Sequence, residues 1–311
     1  MAIGLIYSPR FLDHLTGPGH PERPERLQSI VDSLKSSAQW ERLEHIIPEI
    51  RDAGLPKIIH DPAYLKRVGL TCDRGDEYLD TFDNPICHDS YQVALLAANA
   101  SAAAVDYVMN DAGNRAMVLP RPPGHHAEFN QALGFCIFNN IAIAAQYARL
   151  NYGITRVAIV DFDVHHGNGT QHLFEEDPNV LYLSLHRYPF FPGTGARNET
   201  GRGNGIGATV NYPLHQGSDD EIYLDIFNNS AADVLLRFRP ELLLISAGFD
   251  AHELDPLGGM VVTTAGFGEI TRTLRKIVDE CCAGRVVSIL EGGYNLRGLA
   301  ESVAIHLKEL E

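Results

Sequence analysis

Seven short runs along the chain are apolar at nearly every position and rich in β-branched residues. They are Gly4–Tyr7, Ala116–Leu119, Val157–Phe162, Val180–Leu185, Ala208–Tyr212, Leu242–Ser246 and Val286–Leu290. Runs of this length without polar alternation are expected of strands buried on both faces of a parallel sheet. Between them lie stretches with helical patterning: Glu22–Ser36, Asp89–Asn110, Asn139–Leu150, Asp219–Phe238, Thr263–Cys282 and Leu296–Leu310. Asp89-Ser90 and Ser218-Asp219 suit helix starts, and Gly113 and Gly284 suit helix stops. Strands alternating with helices predict one α/β domain over residues 1–311 with a largely parallel sheet. No internal repeat, low-complexity tract or Pro/Gly/Ser-rich linker divides it.

In such sheets, ligands bind beyond the carboxyl ends of the strands. The unusual residues fall there. Pro120–His126 follows the Ala116 run, Asp161–Gly169 ends the Val157 run, Gly248–His252 follows the Leu242 run, and Glu291–Tyr294 follows the Val286 run. Four polar clusters far apart in sequence are thus expected to meet on one rim.

In the extended segment after Val160, alternate side chains share a face. Asp161, Asp163 and His165 then point one way, while Phe162 and Val164 pack on the other. Two carboxylates and an imidazole on one face are costly unless a cation holds them, and this donor set suits zinc or a similar first-row ion. The alternative is a solvated, helix-capping cluster. Asp250, just past its strand, offers either a cap or a third ligand. Two Asp and one His would leave a zinc position open for water and substrate. His125 and His126, in a loop stiffened by Pro122, Pro123 and Gly124, suit ligation, proton transfer or plain hydrogen bonding alike. Gly292 and Gly293 permit a turn that either is purely structural or aims the Tyr294 hydroxyl at a developing oxyanion.

Composition narrows the classes. Twenty-five Lys and Arg against 40 Asp and Glu give a formal charge of −15, which argues against bare nucleic acid or an anionic membrane surface as partner. The five cysteines, Cys72, Cys87, Cys136, Cys281 and Cys282, form no CxxC and are odd in number, against a disulfide framework. The start of the chain lacks a signal-like apolar stretch, and no apolar run is expected to reach the ~18 residues of a membrane span. A soluble cytoplasmic protein is the expectation.

Taken together, RPPGHH (121–126), GFCIFNN (134–140), DFDVHHGNGTQ (161–171), SAGFDAHELDPLGG (246–259) and LEGGYN (290–295) resemble the arginase–deacetylase superfamily. The resemblance is to the zinc-dependent histone deacetylases and their bacterial class II-like and acetylpolyamine amidohydrolase relatives. It extends to the opening segment, with His20-Pro21-Glu22-Arg23-Pro24-Glu25-Arg26-Leu27. It implies a mostly parallel sheet of about eight strands with helices on both faces. It also implies one Zn²⁺ on Asp163, His165 and Asp250, with His126 as general base and His125 beside it, held by Asp161. Tyr294 would donate to the oxyanion, and the products would be acetate and a free amine.

The same resemblance implies K⁺ held by Asp161, the Asp163, His165 and Leu185 carbonyls and the Ser184 hydroxyl, with a second carbonyl-built site near Phe174 and Val180. Gly134, Phe135 and Phe191 would line an apolar tube for an acyl-lysine stem; read alone, the two phenylalanines are core aromatics. Asn168 departs from the class I pattern, which has an aspartate there, and lacks the charge that raises an imidazole pKa. Polyamine-preferring relatives can carry a glutamate after the Asp-Pro dipeptide. Here Leu257 follows Asp255-Pro256, which leans toward acyl-lysine or a small acyl amine, with Glu22 or another loop acid left as a possible source of charge. A binuclear manganese ureohydrolase would need a second carboxylate run beside the first metal. A non-catalytic acyl-binding protein would not need His125, His126 and Tyr294.

Overall fold

The computed structural model describes residues 3–110 and 114–311. Its strands are β1 (Ile3–Ile6), β2 (Glu44–Ile46), β3 (Arg115–Val118), β4 (Val157–Asp161), β5 (Val180–Arg187), β6 (Thr209–Leu214), β7 (Leu242–Ala247) and β8 (Val286–Leu290). They form one sheet in the order β2-β1-β3-β8-β7-β4-β5-β6, parallel throughout. All seven apolar runs are therefore strands. The eighth, β2, is a three-residue edge strand of Glu44, His45 and Ile46, largely exposed, so it carries no apolar run to announce it.

The helices are α1 (Glu25–Ser36), α2 (Pro62–Asp73), α3 (Ser90–Asn110), α4 (Asn140–Tyr152), α5 (Asn168–Phe174), α6 (Asp220–Ile226), α7 (Ala232–Phe238), α8 (Thr264–Cys281) and α9 (Leu296–Leu310). One helical group, α3 with α4, covers β1, β3, β8, β7 and β4, while α1, α8 and α9 pack together as another. This two-sided cover explains why the strands are buried at almost every position.

Some boundaries move for identifiable reasons. The helix expected from Glu22 starts at Glu25, because prolines at 21 and 24 disfavour helical geometry in the residues before them. The Asp219–Phe238 stretch is helical but contains a π turn, Phe227–Ala231. Tyr223, Phe227, Ala231 and Leu235 are all fully buried and spaced four apart. A 3.6-residue helix would rotate that stripe off the core, and the wider turn holds it in place. Asp219 caps α6, its side chain accepting from the Ile222 N–H. Gly113 lies outside the described residues. α2 was not among the expected helices; it opens at Asp61-Pro62, with Asp61 accepting from the Ala63 N–H. The expectation about membrane spans needs correction: α3 is long and apolar enough to cross a membrane by composition, but it lies mostly buried in this core.

One buried charge cluster ties the opening segment to the loop after β3. Glu22, Arg26 and Arg121 are all fully buried. Arg121 donates from Nε and Nη2 to the two Glu22 oxygens at 2.6 and 2.9 Å, and to the Phe11 and His14 carbonyls at 3.0 and 2.9 Å. Arg26 Nη1 donates to Glu22 at 3.1 Å. Burial alone would raise the Glu22 carboxyl, but Arg121 and Arg26 hold it down at about 2. Because the folded value lies below the unfolded one (about 4.3), this contribution is full above the ordinary carboxylate range and is lost as pH falls toward 2. Glu22→Gln leaves two buried guanidiniums without their counter-charge and should cost about 3–5 kcal/mol, read as a lowered urea midpoint at neutral pH. A midpoint unchanged from wild type would contradict this reading. Glu22 is therefore no source of charge for a substrate.

Candidate active site

The four polar clusters follow β3, β8, β7 and β4, which are consecutive neighbours in the sheet. Strand adjacency alone brings their carboxyl ends together. Asp161 closes β4; beyond it the side chains alternate, with Phe162 and Val164 buried in the core and Asp163 and His165 turned to the rim.

Asp163, His165 and Asp250 form a cluster whose potential ligand atoms all lie within 4.8 Å of one another. His165 Nδ1 sits 3.1 Å from Asp163 Oδ1 and 3.1 Å from Asp250 Oδ2. The remaining carboxylate oxygens are tied to backbone: Gly292 N donates to Asp163 Oδ2 at 2.8 Å, and Val164 N to Asp250 Oδ1 at 2.8 Å. The glycines make this close approach possible. A Cβ on Gly292 would lie 2.3 Å from Asp250 Oδ2, and one on Gly248 would lie 2.0 Å from Asp163 Oδ2. Burial opposes charge on His165, yet its bonds to Asp163 and Asp250 hold its pKa up at about 10. Burial and the Asp163 charge push Asp250 up to about 7, whereas Asp163, with His125 and His165 beside it, is driven down against burial. Two buried carboxylates thus crowd one ring nitrogen at 3.1 Å each, a donor set that fits a divalent ion. Among the described residues, this is the one group of three or more such ligands, which gives no support to a binuclear centre.

The two histidines differ. His125 Nδ1 lies 3.0 Å from Asp161 Oδ2, which also accepts from the Tyr182 hydroxyl at 3.1 Å. Burial lowers the His125 pKa, but Asp161 and Asp163 overcome it and hold it up at about 10. His126 Nδ1 instead meets Asn168 Oδ1 at 2.7 Å. Burial, with the neighbouring His125 charge, keeps His126 well below the usual imidazole range and therefore neutral near pH 7. The rings lie 4.0 Å apart.

A cavity of ≈470 Å³ leads to this cluster, lined by Asp83, His126, Leu133, Gly134, Phe135, His165, Phe191, Leu257 and Tyr294. Gly134 is at φ +56°, and a Cβ there would lie 2.3 Å from His126 Cδ2, so only glycine fits. Phe135 itself has φ +68°, uncommon for a bulky residue, and its ring meets Tyr294 edge-on at 5.9 Å. Phe191 stands edge-on to His126 at 5.1 Å on another wall and is 39% exposed. Neither phenylalanine is simply a core residue. Burial pushes the Tyr294 phenol well above its ordinary value, so it remains a donor.

Ser184 pairs with Asp161 across β4 and β5, and both are fully buried, as is Leu185. Ser184 Oγ lies 2.9 Å from His186 Nδ1, while His186 Nε2 faces the Gly195 carbonyl at 2.9 Å. Nε2 then carries the ring proton, Nδ1 accepts, and Ser184 donates to it, while the same hydroxyl also meets the Tyr182 hydroxyl.

Several residues to which the sequence assigned no role support the site. Glu291 Oε2 accepts from Gly124 N at 2.6 Å and His125 N at 3.2 Å, clamping the histidine loop. Asp255 accepts from the Tyr294 and Asn295 N–H groups at 2.7 and 3.3 Å, and from Leu257 and Gly258 N–H at 2.9 and 3.2 Å, joining two walls of the cavity. Arg26 donates to the Gly293 carbonyl at 2.7 Å and lies over the Tyr294 ring. Asp83, in the cavity wall, accepts from Gly134 N at 3.1 Å. An acid so far ahead of Asp163 in the chain belongs to none of the four rim clusters, so only the folded chain reveals it.

The histone deacetylase domain family matches residues 20–310 of the chain. The chain is 41% identical to "Histone deacetylase 10, chloroplastic" of Oryza sativa subsp. japonica, over 92% of this chain and 68% of that protein. It is 40% identical to "Polyamine deacetylase HDAC10" of Homo sapiens, over 93% of this chain and 44% of that protein. The solved structure "Crystal Structure of HDA15 HD domain" superposes with a TM-score of 0.94 at 37% identity, over 99% of this chain and 88% of that one.

Proposed function

Since the chain belongs to the histone deacetylase family of the arginase–deacetylase superfamily, we propose that it is a zinc-dependent amidohydrolase that removes acetyl or another short acyl group from a primary amine such as the lysine side chain. One observation carries the reading: a single cavity is lined by His126, His165 and Tyr294 together with the aromatic pair Phe135 and Phe191. An apolar channel ending in a base, a candidate metal ligand and a hydroxyl donor is what an uncharged acyl amide on a methylene stem requires.

Asp163, His165 and Asp250 would hold Zn²⁺. When bound, it supplies the Lewis acidity that polarises an amide carbonyl and acidifies water. His126, neutral and bonded through Nδ1 to Asn168, offers Nε2 to take the proton from attacking water and return it to the departing amine nitrogen. His125, paired with Asp161, contributes positive charge beside it. The Tyr294 hydroxyl donates to the oxygen on which negative charge develops. The amide C–N bond breaks, a C–O bond forms, and carboxylate and amine leave. Potassium is proposed at Asp161, Ser184 and Leu185 with the Asp163 and His165 carbonyls, supported by the buried pairing of Asp161 with Ser184 across β4 and β5.

Leu257 in the cavity wall supplies no counter-charge, which favours acyl-lysine. A polyamine substrate remains a second reading, supported by the Asp83 carboxylate in the same wall and by the relative named a polyamine deacetylase. The test is zinc-loaded enzyme assayed side by side on acetyl-lysine peptides, longer acyl-lysines and acetylpolyamines. The first reading predicts the highest kcat/KM on an acyl-lysine. A preference for acetylpolyamine that disappears in Asp83→Asn would establish the second, and turnover of none would overturn both.

A further inference from the structure

The amide of Asn168 can present either end to His126, and the choice sets which ring nitrogen carries the proton. As found, Asn168 Oδ1 faces His126 Nδ1 at 2.7 Å, so Nδ1 must donate and Nε2 is left bare. The flipped amide would present N–H to Nδ1 and force the proton onto Nε2, where it would block a base. The orientation is set from the far side. Asn168 Nδ2 donates to Glu128 Oε1, and also to the His126 carbonyl at 3.4 Å. A carboxylate only accepts, so it excludes the flipped amide.

Glu128 is itself braced. His172 Nδ1 lies 2.9 and 3.1 Å from its two oxygens, and the Glu128 N–H donates to the Gln131 carbonyl at 2.9 Å. Asn168 and His172 are four residues apart on α5, so one helical turn presents both to the same carboxylate. The chain His126–Asn168–Glu128–His172 runs from the cavity to a His172 side chain that is 38% exposed.

We propose that Glu128 is a positioning residue: through Asn168 it fixes His126 with the proton on Nδ1, and it supplies from one residue further out the negative charge that an aspartate at position 168 would carry directly. This rests on the reading of His126 as the base. The structural part, the tautomer, stands apart from it.

The experiment is a two-by-two set in the zinc-loaded enzyme: wild type, Glu128→Ala, Asn168→Asp and the double variant. Glu128→Ala should lower kcat about 10–100-fold, the range for loss of an outer hydrogen-bond partner, with KM and zinc content unchanged. Asn168→Asp in that background should restore much of the loss, since a carboxylate has no amide to orient. In the wild-type background the same change sets two carboxylates against each other and should lower kcat. The effect of Asn168→Asp thus reverses sign with Glu128; an equal effect in both backgrounds would overturn the proposal. Nitrogen-15 spectra, with the His126 ring signals located by their loss in His126→Ala, give a readout that needs no turnover. Wild type should show a protonated Nδ1 and a bare Nε2, and Glu128→Ala a mixture. An unchanged tautomer in Glu128→Ala would overturn the proposal even if hydrolysis holds. An inactive wild type with the expected spectra would reject the hydrolysis reading alone.

Discussion

Asp250→Ala should strip the protein of zinc and of turnover together. The residue is fully buried and is one of only three side chains in the cluster. Its Oδ2 faces His165 Nδ1 at 3.1 Å, while its Oδ1 is fixed by the Val164 N–H. Removing it leaves one carboxylate and one imidazole, too few to hold an ion against water. The affinity loss should exceed the roughly 10–100-fold typical of an outer-shell partner. It is measured by competition with a chelating dye, alongside stoichiometry by elemental analysis. Removal of a carboxylate that burial already raises to about 7 relieves repulsion with Asp163. Thermal stability of the metal-free protein should therefore not fall in step with metal binding. A variant that keeps one tightly bound zinc would remove Asp250 from the ligand set.

His126→Ala should do the reverse, keeping zinc and losing turnover. His126 touches none of the three proposed ligands by hydrogen bond; its ring centroid is 5.9 Å from that of His165. Its loss should lower kcat by about 10²–10⁴-fold, the range for a positioned acid–base group, with substrate KM little changed. The contrast with Asp250→Ala is the informative part: the first variant fails by losing its metal, the second with its metal in place. A His126→Ala enzyme within severalfold of wild-type kcat would move the base role elsewhere, with His125 the adjacent candidate.

What the chain discloses before folding follows from where its signals are concentrated. Parallel strands must be apolar on both faces, so Val157–Asp161 or Leu242–Ala247 stand out as unbroken runs, and the polar residues that follow them mark the rim. Asp163, His165 and Asp250 were readable as a candidate cluster because carboxylates and an imidazole at strand ends are costly to bury unless something holds them. Residues that act by orienting others leave no such mark. Glu128 is an ordinary loop acid until the fold brings Asn168 to it, and Asp255, though it lies in the 246–259 stretch, shows its hold on the Tyr294 backbone only in the folded chain. Glu22 misled for the complementary reason. An acid in an opening loop reads as solvated, yet Arg26, four residues on, and the distant Arg121 hold it in the core. Edge strand β2 was hidden because it is largely exposed, which removes the apolar run that identifies its neighbours.

The most direct test of the central claim is the zinc-edge anomalous signal from crystals of protein loaded with one equivalent of Zn²⁺. The account predicts a single peak about 2.0–2.2 Å from one oxygen each of Asp163 and Asp250 and from His165 Nδ1, with a further position open toward the cavity. No peak there, or one ligated by other residues, would contradict it.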